Sequence, residues 1–220
     1  MILIFDLDDT LYSEFSFVKS GFMAVAKMLE LNYGWDSALS FNSMLRILKS
    51  QGRGEVFNNL LQEKEVFSKA LVNLCLQTYR QHFPKIHLYP EALEILKCYS
   101  NYPKYIVTDG NKNVQANKVE ALRLKSLFKK IYITHCYGIK NAKPSLHCFD
   151  LIRKYEKSNW KDLTYIGDNP KKDFVNLNSA GARTIRVLNG EYANIVAKQG
   201  YDAQFTIPEI SKLGSVLKGL

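Results

Sequence analysis

Asp6, Asp8 and Asp9, within Asp6-Leu7-Asp8-Asp9-Thr10, place three carboxylates in four positions directly after the apolar run Ile2-Leu3-Ile4-Phe5. Like charges raise one another's pKa and each resists desolvation, so the arrangement is costly unless something offsets it. A divalent cation is the usual compensation. Side chains two apart point the same way in extended chain, so Asp6 and Asp8 can converge on one point beyond the end of the run. Taken alone, the five residues fit a solvated turn with a helix cap equally well.

Three later loops carry groups that complement these acids. Thr108-Asp109-Gly110 offers a hydroxyl and backbone N–H groups at a helix start, an arrangement that holds an oxyanion. Lys143 precedes Pro144, a residue suited to the first turn of a helix, and so supplies a compact positive charge. Asp168 follows Gly167, and Asp173 lies a turn further on. Each has a plainer reading: a turn and cap for Thr108 and Asp109, a solvated lysine, a helix N-cap for Asp168. Together they supply what phosphoryl chemistry with Mg²⁺ needs: nucleophile, acid, hydroxyl, ammonium and metal carboxylates. Hard oxygen donors suit Mg²⁺ better than zinc, and no His/Cys cluster argues for a zinc site. Arg53, between Gly52 and Gly54, can reach outward to an anionic substrate or sit as an ordinary loop residue.

The elements that must position these groups follow from periodicity. Ile2–Phe5 is a continuous apolar run, the pattern of a parallel strand buried on both faces. From Leu88 the chain alternates strand and helix, with strands at 105–107, 131–134, 163–166 and 184–187 and a short one near 204–206. Helices follow from Pro90, after Asn111, after Pro144 and from Pro208. This predicts an α/β fold, a doubly wound parallel-sheet core whose strand ends carry the four loops. Residues 14–85 differ. Phe15, Val18, Phe22, Val25, Met28 and Leu29 repeat at helical spacing, Asp36 can cap a second helix, and further helices are predicted at 56–61 and 66–83. A helical insertion at 14–85 is therefore expected within a core formed by 1–13 and 86–220.

Composition bounds the rest. With 46% hydrophobic and 12% aromatic residues in 220, the chain supports a sizeable core rather than disorder. Cys75, Cys98, Cys136 and Cys148 show no C-x-x-C pair and read as reduced packing residues. The apolar strand starts at residue 2, leaving no room for a secretory signal, and no apolar run is long enough to span a membrane, so a cytoplasmic location is expected. The net charge of +9 comes from dispersed lysines and arginines, with short pairs at Lys129-Lys130 and Lys171-Lys172. That favours solubility and attraction of small anions over nucleic-acid binding.

The ordered set Asp6-Leu7-Asp8-Asp9-Thr10, Thr108, Lys143-Pro144 and Gly167-Asp168 with Asp173 resembles the four motifs of haloacid dehalogenase-like (HAD) hydrolases. The insertion resembles that superfamily's C1 cap, and the resemblance implies a Rossmann-like parallel-sheet core. The resemblance implies Asp6 as nucleophile, Asp8 as general acid and base, and Thr108, Asp109 and Lys143 at the phosphoryl group. It further implies Mg²⁺ held by Asp6, the backbone carbonyl of Asp8, and Asp168, with Asp173 direct or behind them. Dehalogenases lack the acid at the position of Asp8, which argues against a halide substrate. The expectation is a phosphatase for a small phosphorylated metabolite, a sugar phosphate or nonulosonate 9-phosphate by analogy, acting through an aspartyl-phosphate as a monomer or weak dimer. A phosphomutase resembling β-phosphoglucomutase, a 5′-nucleotidase and, outside enzymes, a basic nucleic-acid-binding module are the alternatives.

Overall fold

The structure is a computed structural model that describes residues 1–219. By contacts it divides into two compact units, Met1–Glu14 with His87–Leu220, and Phe15–Ile86.

The first unit is built on six parallel strands: β1 (Ile2–Phe5), β2 (Lys104–Thr108), β3 (Lys130–Ile133), β4 (Leu163–Gly167), β5 (Arg183–Val187) and β6 (Phe205–Ile207). Their order is β3-β2-β1-β4-β5-β6, the doubly wound arrangement expected of a Rossmann-like core. Ile4 lies opposite Tyr105 on one side and Tyr165 on the other, so β1 is fully flanked. That explains its unbroken apolar run: all four residues are buried, and both faces of a sheet covered by helices must be apolar. On one face Ile2, Ile4, Tyr105, Val107, Tyr165, Phe149 and Ile152 share a core. Phe5 meets the Phe128 ring edge-on instead. The strand order reverses between β1 and β4, and open sheets gather ligands in the crevice at such a point.

The helices of this unit, numbered with those of the insertion in chain order, are α5 (Pro90–Cys98), α6 (Lys112–Ala121), α7 (His147–Tyr155), α8 (Val175–Ala180) and α9 (Leu213–Lys218). One expectation needs correction, and one of the plainer readings fails. Pro144 does not open a helix. Residues 142–145 form a turn closed by Ser145 N–H on the Ala142 carbonyl, and α7 begins at His147. Asp168 is no helix cap either, since the next helix starts at Val175 with Phe174 before it.

The second unit holds α1 (Glu14–Tyr33, all but its first residue), α2 (Ser37–Gln51), α3 (Val56–Glu63) and α4 (Lys69–Gln81), with no strand among the described residues. Val18, Phe22, Val25 and Leu29 from α1 pack with Met44, Ile47, Leu60, Leu61 and Cys75 in a separate core. Asp36 caps α2 by accepting from Leu39 N–H at 2.7 Å, as its place in the sequence suggests. α4 begins later than the apolar pattern implies. Ser68 accepts from Leu71 N–H and sets the start, leaving Val66 and Phe67 exposed. Of the cysteines, Cys75 and Cys148 are buried packing residues, but Cys98 and Cys136 are exposed, and none of the four is in a disulfide. Among the described residues no helix is long and apolar enough to cross a membrane.

Candidate active site

β1 delivers Asp6 and β4 delivers Asp168 from adjacent strand ends, and the turn after β4 brings Asp173 back toward them. One carboxylate oxygen of each lies within 4.8 Å of the others, and all three side chains are buried. Gly167 allows this approach: a Cβ there would stand 2.5 Å from Asp173 Oδ2. Lys143, buried in the turn before α7, puts its Nζ 3.0 Å from Asp6 Oδ1 and 2.8 Å from Asp173 Oδ1, and donates to the Tyr165 hydroxyl at 2.8 Å.

The electrostatics follow from this geometry. Burial pushes Asp6 up, Lys143 works against it and Asp173 adds to it, with the outcome about 6. Asp168 is pushed up to about 9, by burial first and then by Asp6 and Asp173. Burial alone would lower the Lys143 ammonium, but Asp173 and Asp6 hold it well above its ordinary range. The two acidic partners differ in what they offer a cation. Asp173 is engaged on both oxygens, Oδ1 by Lys143 and Oδ2 by Asn169 N–H at 3.0 Å. Asp168 receives no hydrogen bond or ion pair from the described residues. A buried carboxylate with like-charged neighbours and no donor is what a hard divalent cation would offset, so the donor set fits Mg²⁺.

Asp8 goes elsewhere. Its carboxylate lies outside the three-acid cluster and meets Lys118 Nζ at 2.7 Å, Gln115 Nε2 at 2.9 Å and the Tyr12 hydroxyl at 2.5 Å. Burial would raise its pKa, but the Lys118 charge and hydrogen bond, with those of Tyr12 and Gln115, hold it below the usual carboxylate range. Asp9 is a local cap: it sits at φ +52° and accepts from Glu14 N–H at 2.9 Å, at the start of α1.

On β2, Thr108 is buried and its Oγ1 accepts from Gln115 Nε2 at 2.6 Å. The N-terminus of α6 is capped by Asn111, whose side chain accepts from Asn113 and Val114 N–H. The Asp109 carboxylate does not face outward. Oδ1 accepts from Lys143 N–H at 3.0 Å and the Thr134 hydroxyl at 2.7 Å, and Oδ2 pairs with Lys172 Nζ at 2.9 Å. It therefore ties the Lys143 turn to the end of β2. Arg53 belongs to the helical unit, on the exposed turn between α2 and α3.

The structure thus brings Asp6, Lys143, Asp168 and Asp173 into one cluster and joins Asp8 to Thr108 through Gln115. Gln115, Lys118, Tyr12 and Lys172 were not foreseen. A signal for two of them existed: the buried positions of α6 are Gln115, Lys118 and Val119, so its inward face carries an amide and an ammonium where an ordinary core helix is apolar.

Residues 3–187 match the family described as haloacid dehalogenase-like hydrolase. A relative named glyceraldehyde 3-phosphate phosphatase, from Methanocaldococcus jannaschii, is 27% identical, the alignment covering 99% of this chain and 97% of the relative. Among solved structures, a predicted phosphoglycolate phosphatase from Haemophilus somnus superposes with a TM-score of 0.67 at 17% identity, over 98% of this chain and 97% of that one. A 2-haloacid dehalogenase from Pseudomonas syringae gives 0.64 at 19% identity, over 100% and 99%. At such identities these superpositions speak to the fold. The family match spans most of the chain and all four clustered loops, and the chain belongs to the haloacid dehalogenase-like hydrolases.

Proposed function

We propose that this hydrolase is a Mg²⁺-dependent phosphatase that cleaves a small sugar phosphate through an aspartyl-phosphate on Asp6. The observation that carries the reading is the buried Asp6 carboxylate held against the Lys143 ammonium at 3.0 Å beside two further acids, with a separate carboxylate, Asp8, two residues further along the same loop. A dehalogenase has no alkoxide to protonate and no need of that second acid.

Asp6 attacks phosphorus in line, and the bond from phosphorus to the leaving oxygen breaks. Asp8, carrying a proton, gives it to that oxygen. The ionised Asp8 then takes a proton from water, whose oxygen attacks the phosphoryl group and releases Asp6 with inorganic phosphate. In the substrate-free protein Lys118 favours ionised Asp8. An arriving phosphoryl dianion raises its proton affinity by like-charge repulsion and readies it for the first step. Lys143, Thr108 and the backbone N–H groups of Asp109 and Gly110 hold the phosphoryl oxygens, and Lys143 reduces the repulsion between Asp6 and an anionic substrate. Asp6, Asp168 and the Asp8 carbonyl would hold Mg²⁺, with Asp173 behind them, bonded to Lys143 and Asn169. The ion supplies charge neutralisation at the phosphoryl group.

The relative named for glyceraldehyde 3-phosphate favours a triose or similarly small sugar phosphate over a nonulosonate 9-phosphate. The dispersed positive charge suits small anionic substrates rather than nucleic acid, and Arg53 is retained as a substrate contact. The test is phosphate release from a panel of glyceraldehyde 3-phosphate, other sugar phosphates, phosphoglycolate and nucleotides, with Mg²⁺ or EDTA and with the Asp6→Asn protein as blank. We expect small sugar phosphates to lead by kcat/KM and EDTA to abolish release. Activity undiminished by EDTA, or in the Asp6→Asn protein, refutes the reading.

A further inference from the structure

Gln115 and Lys118 stand three residues apart on α6 and therefore share a face. Both are buried, 1% and 3% exposed, and both end on the Asp8 carboxylate. A carboxylate only accepts hydrogen bonds, so the end of the Gln115 amide facing it must be the NH₂. A primary amide has two N–H bonds, and the second goes to Thr108 Oγ1 at 2.6 Å. One amide group therefore bridges the proposed acid and the proposed phosphoryl-binding hydroxyl. Gly110, at φ +136°, lies against this side chain: a Cβ there would meet Gln115 Cγ at 3.2 Å and its amide carbon at 3.3 Å. The backbone of the β2 loop thus confines the amide from the other side.

We propose that Gln115 and Lys118 are positioning residues, which hold Asp8 in register with the phosphoryl group and orient the Thr108 hydroxyl toward it. The inference rests on the reading of Asp8 as the acid and base. Thr108 Oγ1 accepts from Gln115, so its own O–H is left to donate, and it donates to a phosphoryl oxygen. Asp8 Oδ1 carries the Lys118 ammonium and the Tyr12 hydroxyl, whereas Oδ2 carries the neutral Gln115 amide. Oδ2 is the less strongly engaged oxygen and is the one that carries the transferring proton. The role is selective: losing the clamp harms protonation of a poor leaving group more than departure of a good one.

Two substrates of nearly one shape read this directly. Phenyl phosphate must expel a basic phenolate and needs the acid, whereas p-nitrophenyl phosphate expels a weakly basic one. The ratio of their kcat/KM values is measured for wild type, Asp8→Asn, Lys118→Met and Gln115→Glu, the last being close in shape but presenting an acceptor to an acceptor. Circular dichroism checks that each variant is folded, and Gln115→Glu carries the test should Lys118→Met not fold. General acid catalysis is worth roughly 10²–10⁴-fold, so Asp8→Asn should depress the phenyl to p-nitrophenyl ratio by at least about 100-fold. The two helix variants should depress it by about tenfold or more. If Asp8→Asn shifts the ratio and folded helix variants do not, the positioning role is refuted while the acid–base reading stands. If Asp8→Asn leaves the ratio unchanged, the acid–base reading itself fails. In the Asp8→Asn background, Lys118→Met should add no further shift, and an added shift overturns action through Asp8.

Discussion

Asp6→Asn separates what the nucleophile costs the fold from what it does in chemistry. Burial, opposed by Lys143 and reinforced by Asp173, takes the Asp6 pKa from its ordinary 3.8 to about 6. The difference is about 2 pH units, and each is worth about 1.4 kcal/mol, so ionised Asp6 costs the metal-free fold on the order of 3 kcal/mol. The sign follows from proton counting. Between these two values the folded chain holds a proton that the unfolded chain releases, so stability is highest below the lower value and falls as pH rises through the higher one. Asparagine keeps the shape without the charge and removes that fall. In urea denaturation with EDTA, the variant should exceed wild type by about 3 kcal/mol at pH 8, and the gap should close below about pH 4. Mg²⁺ should narrow or reverse it, because a ligand stabilises the native state that binds it. Turnover of p-nitrophenyl phosphate should be lost throughout. A variant no more stable than wild type at pH 8 in EDTA would refute the assigned burial cost, and residual turnover would refute the assigned nucleophile.

Asp168→Ala should raise the Mg²⁺ concentration for half-maximal activity by roughly 100-fold, since even partners behind a metal's ligands are worth about 10–100-fold in affinity. An unchanged metal titration would exclude it as a ligand. Gly167→Ala places a methyl 2.5 Å from Asp173 Oδ2 and should cost about 1–3 kcal/mol in denaturant melts, together with much of the activity as the Asp173–Lys143 contact shifts. A neutral outcome would mean that the loop gives way freely. Arg53→Ala should raise KM for the best sugar phosphate of the panel more than for p-nitrophenyl phosphate, and equal changes would remove it from substrate recognition.

Ile2–Phe5 and the alternation after Leu88 made the parallel sheet legible, because a strand buried on both faces has to be apolar without interruption. The same periodicity located Asp6, Thr108 and Asp168 at or just beyond strand ends, where open sheets assemble their sites. These are local properties, written within a few residues of one another. Which acid meets which cation is not local. Lys118 reaches Asp8 across 110 positions, and Asp109 receives the Lys143 N–H across 34. Pro144 looked like a helix start and became part of a turn, because the residue before it is tied to the end of β2. Three acids within four positions look alike in the chain. The fold made Asp6 part of the carboxylate cluster, handed Asp8 to α6 and used Asp9 to cap α1. Residue type and spacing determined which groups stand at the strand ends. Packing between elements far apart in the chain decided their partners, because a buried charge must find its counter-ion wherever the fold places one.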